Sequence, residues 1–107
     1  MIFIVVKFTT KPDWTDRWPD HVAEFTAATR AEEGCLWFEW SKSLEEPNTF
    51  VLVEAFRDGD AGSAHVNSDH FRKAIEELPK GLASTPKIIS ESIEATGWNE
   101  MGEMSVD

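Results

Sequence analysis

Short apolar runs rich in β-branched and aromatic residues alternate along this chain with longer amphipathic stretches. The run IFIVVKFT (2–9) has the length and residue types of a strand, and KPDW ends it. Over roughly 16–33, Trp18, Val22, Phe25 and Thr29 recur at spacings of three and four, which predicts a helix with one inward face and Gly34 as its stop. CLWFEWSKS (35–43) and FVLVEAFR (50–57) read as two strands of a hairpin, joined through LEEPNT, where Pro47-Asn48 supplies turn chemistry. Asp58 to Ala83 reads as helix in two pieces, the first capped by Asp58 and the second by Asn67 or Ser68, with Pro79 and Gly81 ending it. A last strand, KIISESIEA (87–95), follows Pro86, and TGWNEMGEMSVD closes the chain.

The order is β-α-β-β-α-β, which predicts an α+β, ferredoxin-like protomer: an antiparallel sheet with both helical segments on one face. Residues 1–96 would form the domain and 97–107 a tail. Trp98, Met101 and Met104 of that tail are expected to pack on the sheet or on a partner subunit.

The hairpin carries a second message. Its even positions hold Leu36, Phe38, Trp40, Phe50, Leu52 and Phe56, and its odd positions hold Cys35, Trp37, Val51, Val53 and Ala55. Successive strand residues point to opposite faces, so both faces are apolar. A sheet with one wet face would alternate cleanly instead. Two helices cover one face only, and a second copy of the same sheet is the simplest cover for the other. The expectation is a homodimer joined through sheet faces.

Composition narrows the partners. A chain of 107 residues supports one core, and its formal net charge of −10 leaves no basic surface for nucleic acid or for anionic membranes. The single cysteine, Cys35, excludes an internal disulfide and a cysteine-based zinc site, and reads as a small buried hydrophobe. No stretch is long enough to span a bilayer and no basic segment precedes the apolar start, so a soluble, cytoplasmic protein is expected.

Cofactor motifs are absent: there is no GxGxxG, no P-loop and no HExxH. His65 and His70, in AHVNSDHF (64–71), are five apart. On an unbroken helix that spacing leaves them about 140° apart, too far to share a metal. No metal, flavin or other cofactor is expected. Glu54 shares a predicted face with Phe38, Trp40, Leu52 and Phe56, and a carboxylate among apolar residues needs a partner or a raised pKa. Glu39 raises the same issue on the other face, where pairing with Arg57 or across the dimer is expected.

Three segments, EEGCLWFEW, EEPNTFVLVEAFRD and AHVNSDHF, occur in an order and spacing that resembles the antibiotic biosynthesis monooxygenase family. The resemblance covers about residues 2–95. It implies a dimeric α+β barrel and a cavity between helices and sheet in each subunit. It also implies oxidation of electron-rich aromatics, of the quinol type, by O2 without metal or flavin. Many members place Trp near the end of the third strand, where this chain has Phe56, and the strand Asn and Trp-His pair of haem-degrading members have no match.

Within that frame His65 is the candidate general base, since imidazole titrates near neutrality, and Glu54 is its candidate aid. Ala61 and Ala64 are expected to share the inward helical face with His65 and leave room beside it. Phe38, Trp40, Leu52, Phe56 and Phe71 complete the expected substrate-binding wall. His70 is expected outside the site as a cap or surface group, and His21 as a solvated helix residue. The leading expectation is a cofactor-independent monooxygenase acting on a quinol or polycyclic phenol with O2. An isomerase or cyclase on the same scaffold, or a non-catalytic small-molecule-binding dimer, are the alternatives.

Overall fold

A computed structural model describes residues 1–107. Four strands, β1 (Ile2–Thr9), β2 (Cys35–Lys42), β3 (Thr49–Phe56) and β4 (Lys87–Ser92), form one sheet in the order β2-β3-β1-β4 with every neighbouring pair antiparallel. This is the expected ferredoxin-like α+β arrangement. Both helical segments lie in the two crossovers, between β1 and β2 and between β3 and β4.

The first helical segment differs from the single helix expected over 16–33. A 3₁₀ turn (Pro12–Arg17) leads into α1 (Trp18–His21) and α2 (Ala23–Arg30), which meet at Val22. Proline explains the start: Pro12 and Pro19 each stand in the first turn of a piece, where a missing N–H costs nothing. The apolar spacing still works, because Trp18, Val22 and Thr29 are buried and Phe25 packs against the core. The second segment is α3 (Gly59–Val66) and α4 (Asp69–Glu77), followed by a short 3₁₀ turn (Leu78–Gly81). The last strand stops at Ser92, short of the expected Ala95.

Register assigns the faces. Ile4, Val6 and Phe8 of β1 stand opposite Glu54, Leu52 and Phe50 of β3, and Phe38 and Trp40 of β2 stand opposite Glu54 and Leu52. This is the face under the helices, where Phe38, Leu52 and Phe56 are fully buried. The register shifts between Cys35 and Trp37, so Cys35 faces Phe56 and packs on the covered core, while Leu36 is left 44% exposed. A one-residue bulge inverts alternation locally, which is why simple odd-even reading misplaces these two.

The opposite face carries Phe3, Val5, Trp37, Val51 and Val53, all half-buried, with Ile89 of β4 at 67% exposure. Trp98 packs on Trp37 with ring centroids 5.4 Å apart, whereas Met101 and Met104 further along the tail are exposed. No helix is long and apolar enough to cross a membrane.

Candidate active site

The site begins with a break in a helix. Asp58 caps α3 by accepting from the Ala61 backbone N–H at 2.9 Å, a contact that also holds its carboxyl below the usual range. The helix then stops at Val66, and Ser68 adopts an extended backbone (φ −78°, ψ 158°) before α4 begins. Ser68 locks both sides of this break: its hydroxyl donates to the His65 carbonyl at 2.6 Å and accepts from the Phe71 N–H at 3.2 Å. His65 therefore ends one helix and His70 opens another with a different axis.

The consequence overturns the 140° argument. Both imidazoles reach the same oxygen, Glu32 Oε2: His65 through Nδ1 at 2.8 Å and His70 through Nε2 at 2.6 Å. His70 is thus half-buried beside the site, not a detached surface group. The three donor atoms lie within 4.8 Å of one another, near enough for one divalent cation after small shifts. Their convergence on a single oxygen is the pattern of hydrogen bonds to a carboxylate.

Glu32 comes from the turn between α2 and β2, and Gly34 lets that turn approach α3. A Cβ on Gly34 would lie 2.2 Å from the Ala61 Cβ, so any side chain there would push α3 away. Ala61, buried one turn before His65, is taken up by this contact and does not line the cavity that His65 faces.

On its other side the His65 ring is enclosed by phenylalanines. Phe56 stacks on it at 4.7 Å between centroids, Phe71 meets it edge-on at 5.1 Å, and Phe25 and Phe38 lie at 5.8 and 6.2 Å. Its Nε2 faces Glu54 Oε1 at 3.9 Å. Glu54 Oε1 is buried and has no hydrogen-bond partner. Burial first, and the neighbouring Glu32 charge second, push the Glu54 carboxyl up from 4.5 to about 7. Near neutrality this carboxyl can both give and take a proton. The Cys35 thiol beside it is driven to about 11 by burial and then by the Glu32 and Glu54 charges, so it stays an inert thiol.

His65 and Glu54 open onto an apolar cavity of about 320 Å³ between α4 and the sheet. Leu52 and Phe71 line it, and so do Phe25, Ala74, Ile75 and Leu78. Phe38 and Phe56 stand behind the imidazole, outside the lining. Trp40 lines a different groove, of about 430 Å³, between α1, α2 and the hairpin, and its indole N–H donates to Thr26. That groove is larger, but Arg30 and Lys42 are the ionisable side chains on it, and no acid–base pair faces it. Ala64 is exposed on the outer side of α3, so it contributes nothing to the site. His21 is half-buried, its Nε2 2.8 Å from the Glu77 carbonyl, and sits against Trp14 and Trp18, not in solvent. Glu39 is exposed and Arg57 pairs with Glu33 and Asp58 instead.

The residue that sequence reasoning missed is Glu32. It stands beside Glu33 in a turn, and nothing local separates the carboxylate that turns inward from the one that stays 94% exposed. The α4 wall was more legible, because Phe71, Ala74, Ile75 and Leu78 follow the three-four spacing of an apolar helical stripe.

The profile of the antibiotic biosynthesis monooxygenase family matches residues 1–77. Among curated proteins, YcnE of Bacillus subtilis is 28% identical over 86 residues, covering 80% of this chain and 90% of its own length. The uncharacterised sll1783 of Synechocystis is 25% identical over 87 residues, and the match spans 81% of this chain but 59% of that relative. The structure of Rv0793 from Mycobacterium tuberculosis shares the fold, with a TM-score of 0.81 at 20% identity over 91% of this chain and 98% of that one.

Proposed function

The chain belongs to the antibiotic biosynthesis monooxygenase family, and from that premise we propose that it oxidises a quinol or polycyclic phenol with O2 in the cavity between α4 and the sheet. One observation carries the reading: an imidazole nitrogen and a carboxyl pushed up to about 7 stand 3.9 Å apart at the wall of an apolar, aromatic cavity. A volume of about 320 Å³ falls at the lower end of small-molecule sites, roughly 300–1,000 Å³, and suits a flat aromatic of two or three rings. A phenolic oxygen placed between His65 Nε2 and Glu54 Oε1 can hydrogen-bond to both.

His65 then takes the phenolic proton. The phenolate passes one electron to O2, and the phenoxyl radical and superoxide recombine to form a C–O bond at a ring C–H carbon. The resulting peroxide takes up a proton, for which His65 or Glu54 is the donor. Loss of the ring proton, with cleavage of the O–O bond, leaves a new carbonyl on the ring and releases water. One oxygen atom stays in the quinone and the other leaves with the two hydrogens given up by the hydroxyl and the ring carbon. The substrate supplies the electrons, and the protein supplies proton transfer and a cavity poor in water.

The same reading pairs two copies through the uncovered sheet face. Phe3, Val5, Val51 and Val53 on that face support it, as does Ile89, and the interface expected is at or above the standard size of roughly 1,600 Å².

Oxygen uptake against a panel of hydroquinones, naphthols and anthrones tests the activity. The expected result is saturable uptake with one quinone formed per O2 and no hydrogen peroxide. Conversion of a phenol without O2 uptake would make the protein an isomerase or cyclase, and binding without turnover would make it a binding protein.

A further inference from the structure

We propose that Glu32 is the positioning residue of this site and that His70 holds it in place. Together they keep the His65 proton on Nδ1, leaving Nε2 as the nitrogen that works at the cavity. This rests on the base role proposed above for His65.

The tautomer follows from the contacts. A carboxylate oxygen has no hydrogen to give, so the nitrogens that meet Glu32 Oε2 at 2.8 and 2.6 Å are both donors, His65 through Nδ1–H and His70 through Nε2–H. An imidazole that donates from Nδ1 in its neutral form has its lone pair on Nε2, and that nitrogen looks toward Glu54 and the cavity. The stacked Phe56 and the edge-on Phe71 oppose rotation of the ring out of this pose.

The charge balance points the same way. Glu32 makes ion-pair contacts with the two histidines and with no lysine or arginine, and its Oε1 is buried without a partner. Nearby Arg30, which could have neutralised it, spends its guanidinium on the Phe38 carbonyl at 2.9 and 3.0 Å. An unneutralised carboxylate against Nδ1 stabilises the imidazolium that forms when His65 accepts a proton. His70 anchors the carboxylate by donating to it from Nε2. The other ionisable groups facing the pair are Glu54 and the Cys35 thiol beside His65 and Glu32 and, in the groove of about 260 Å³ beside His70, Asp20, His21, Glu24, Lys73 and Glu77.

The test is ¹⁵N NMR of the histidine rings in the whole protein, joined to kinetics of Glu32→Gln and of two His70 variants. In the wild type, His65 is expected with Nδ1 protonated and Nε2 bare. A glutamine amide at position 32 can donate as well as accept, so Glu32→Gln should mix the two tautomers of His65. It should also lower kcat by about 10²-fold or more, with KM little changed and the pH profile shifted toward lower pH, because the anion that favours the imidazolium is gone. His70→Gln, which can still donate to Glu32, should keep most activity, whereas His70→Phe should fall between it and Glu32→Gln. A wild-type His65 protonated on Nε2 would overturn the proposal even if no variant folds. So would a Glu32→Gln protein with unchanged tautomer and kcat. A divalent cation on the three donors is the competing arrangement: loss of the ring signals' pattern with EDTA, restored by one metal, would overturn the proposal. The NMR arm reads the resting protein, so a failure to oxidise any phenol would sink the base role while the tautomer is still decided independently.

Discussion

Under the helices, Phe38, Leu52 and Phe56 are fully buried and yet admit Glu54 and His65 among them; on the other side of the same strands, Phe3, Val5, Val51 and Val53 are half-buried, and the charged pair there, Lys7–Glu46, is solvent-exposed. Neighbouring residues of β3 thus meet two environments. The covered face tolerates ionisable groups because elements packed above it supply partners: Glu32 from the turn after α2, and His70 from α4. The uncovered face meets the tail at Trp98 and, at Lys7, an exposed carboxylate from the hairpin turn, Glu46. The difference teaches that apolar content alone does not mark a functional face; what marks it is a buried polar group brought in from another element.

Substitutions at adjacent positions of β3 separate the two faces most strongly. Leu52 is fully buried, so Leu52→Ala should cost about 2–5 kcal/mol in urea unfolding. Val53 lies on the other face, and Val53→Asp should shift the light-scattering mass from dimer to monomer while the far-UV spectrum stays native. Equal loss of fold in both would mean that the faces are not distinct. A monomeric wild type would remove the second copy from the account.

The next effect is that of pH on the covered face. Burial raises the Glu54 carboxyl from 4.5 to about 7, so folding favours its protonated form. Its contribution is full below about pH 4.5, is lost as pH rises from there through about 7, and is level above. The span corresponds to on the order of 3 kcal/mol. Unfolding midpoints at about pH 5 and about pH 8 should therefore fall more in the wild type than in Glu54→Gln. Parallel pH dependence in the two proteins would place the Glu54 charge in contact with water.

Ser68→Ala should give the smallest change, about 1 kcal/mol. It removes the cap of α4 and the bond to the His65 carbonyl, so it should also loosen the convergence of His65 and His70 on Glu32. An unchanged His65 spectrum would show that packing alone holds the break.

The strand pattern and the 3.6-residue stripes of the helices were legible because hydrophobic periodicity is local, and the fold follows from their order. Glu54 was legible for the same reason, as a carboxylate in phase with Phe38, Leu52 and Phe56. The rest depended on long-range geometry. The 33 positions between Glu32 and His65 carry no local trace of their contact. Ala64 lies off the inward face because one face of a two-turn helix covers few residues, whereas Ala61 stands on that face with His65 and is taken up by its tight contact with Gly34. The bulge at Leu36 cannot be seen in a run where every neighbour is apolar. The His65–His70 spacing separates the two rings only on an unbroken helix; Ser68 is a cap between them, and a cap is where an axis changes.

The central claim is that the covered face carries an acid–base site built on His65. The direct measurement is the initial rate of O2 uptake, with the best phenol from the panel, for the wild type, His65→Ala and His70→Ala. His65→Ala should lose about 10²–10⁴-fold in turnover at unchanged dimer mass, and His70→Ala should lose much less. Equal, small losses in the two variants would contradict the account and leave Glu54 as the remaining candidate for the base.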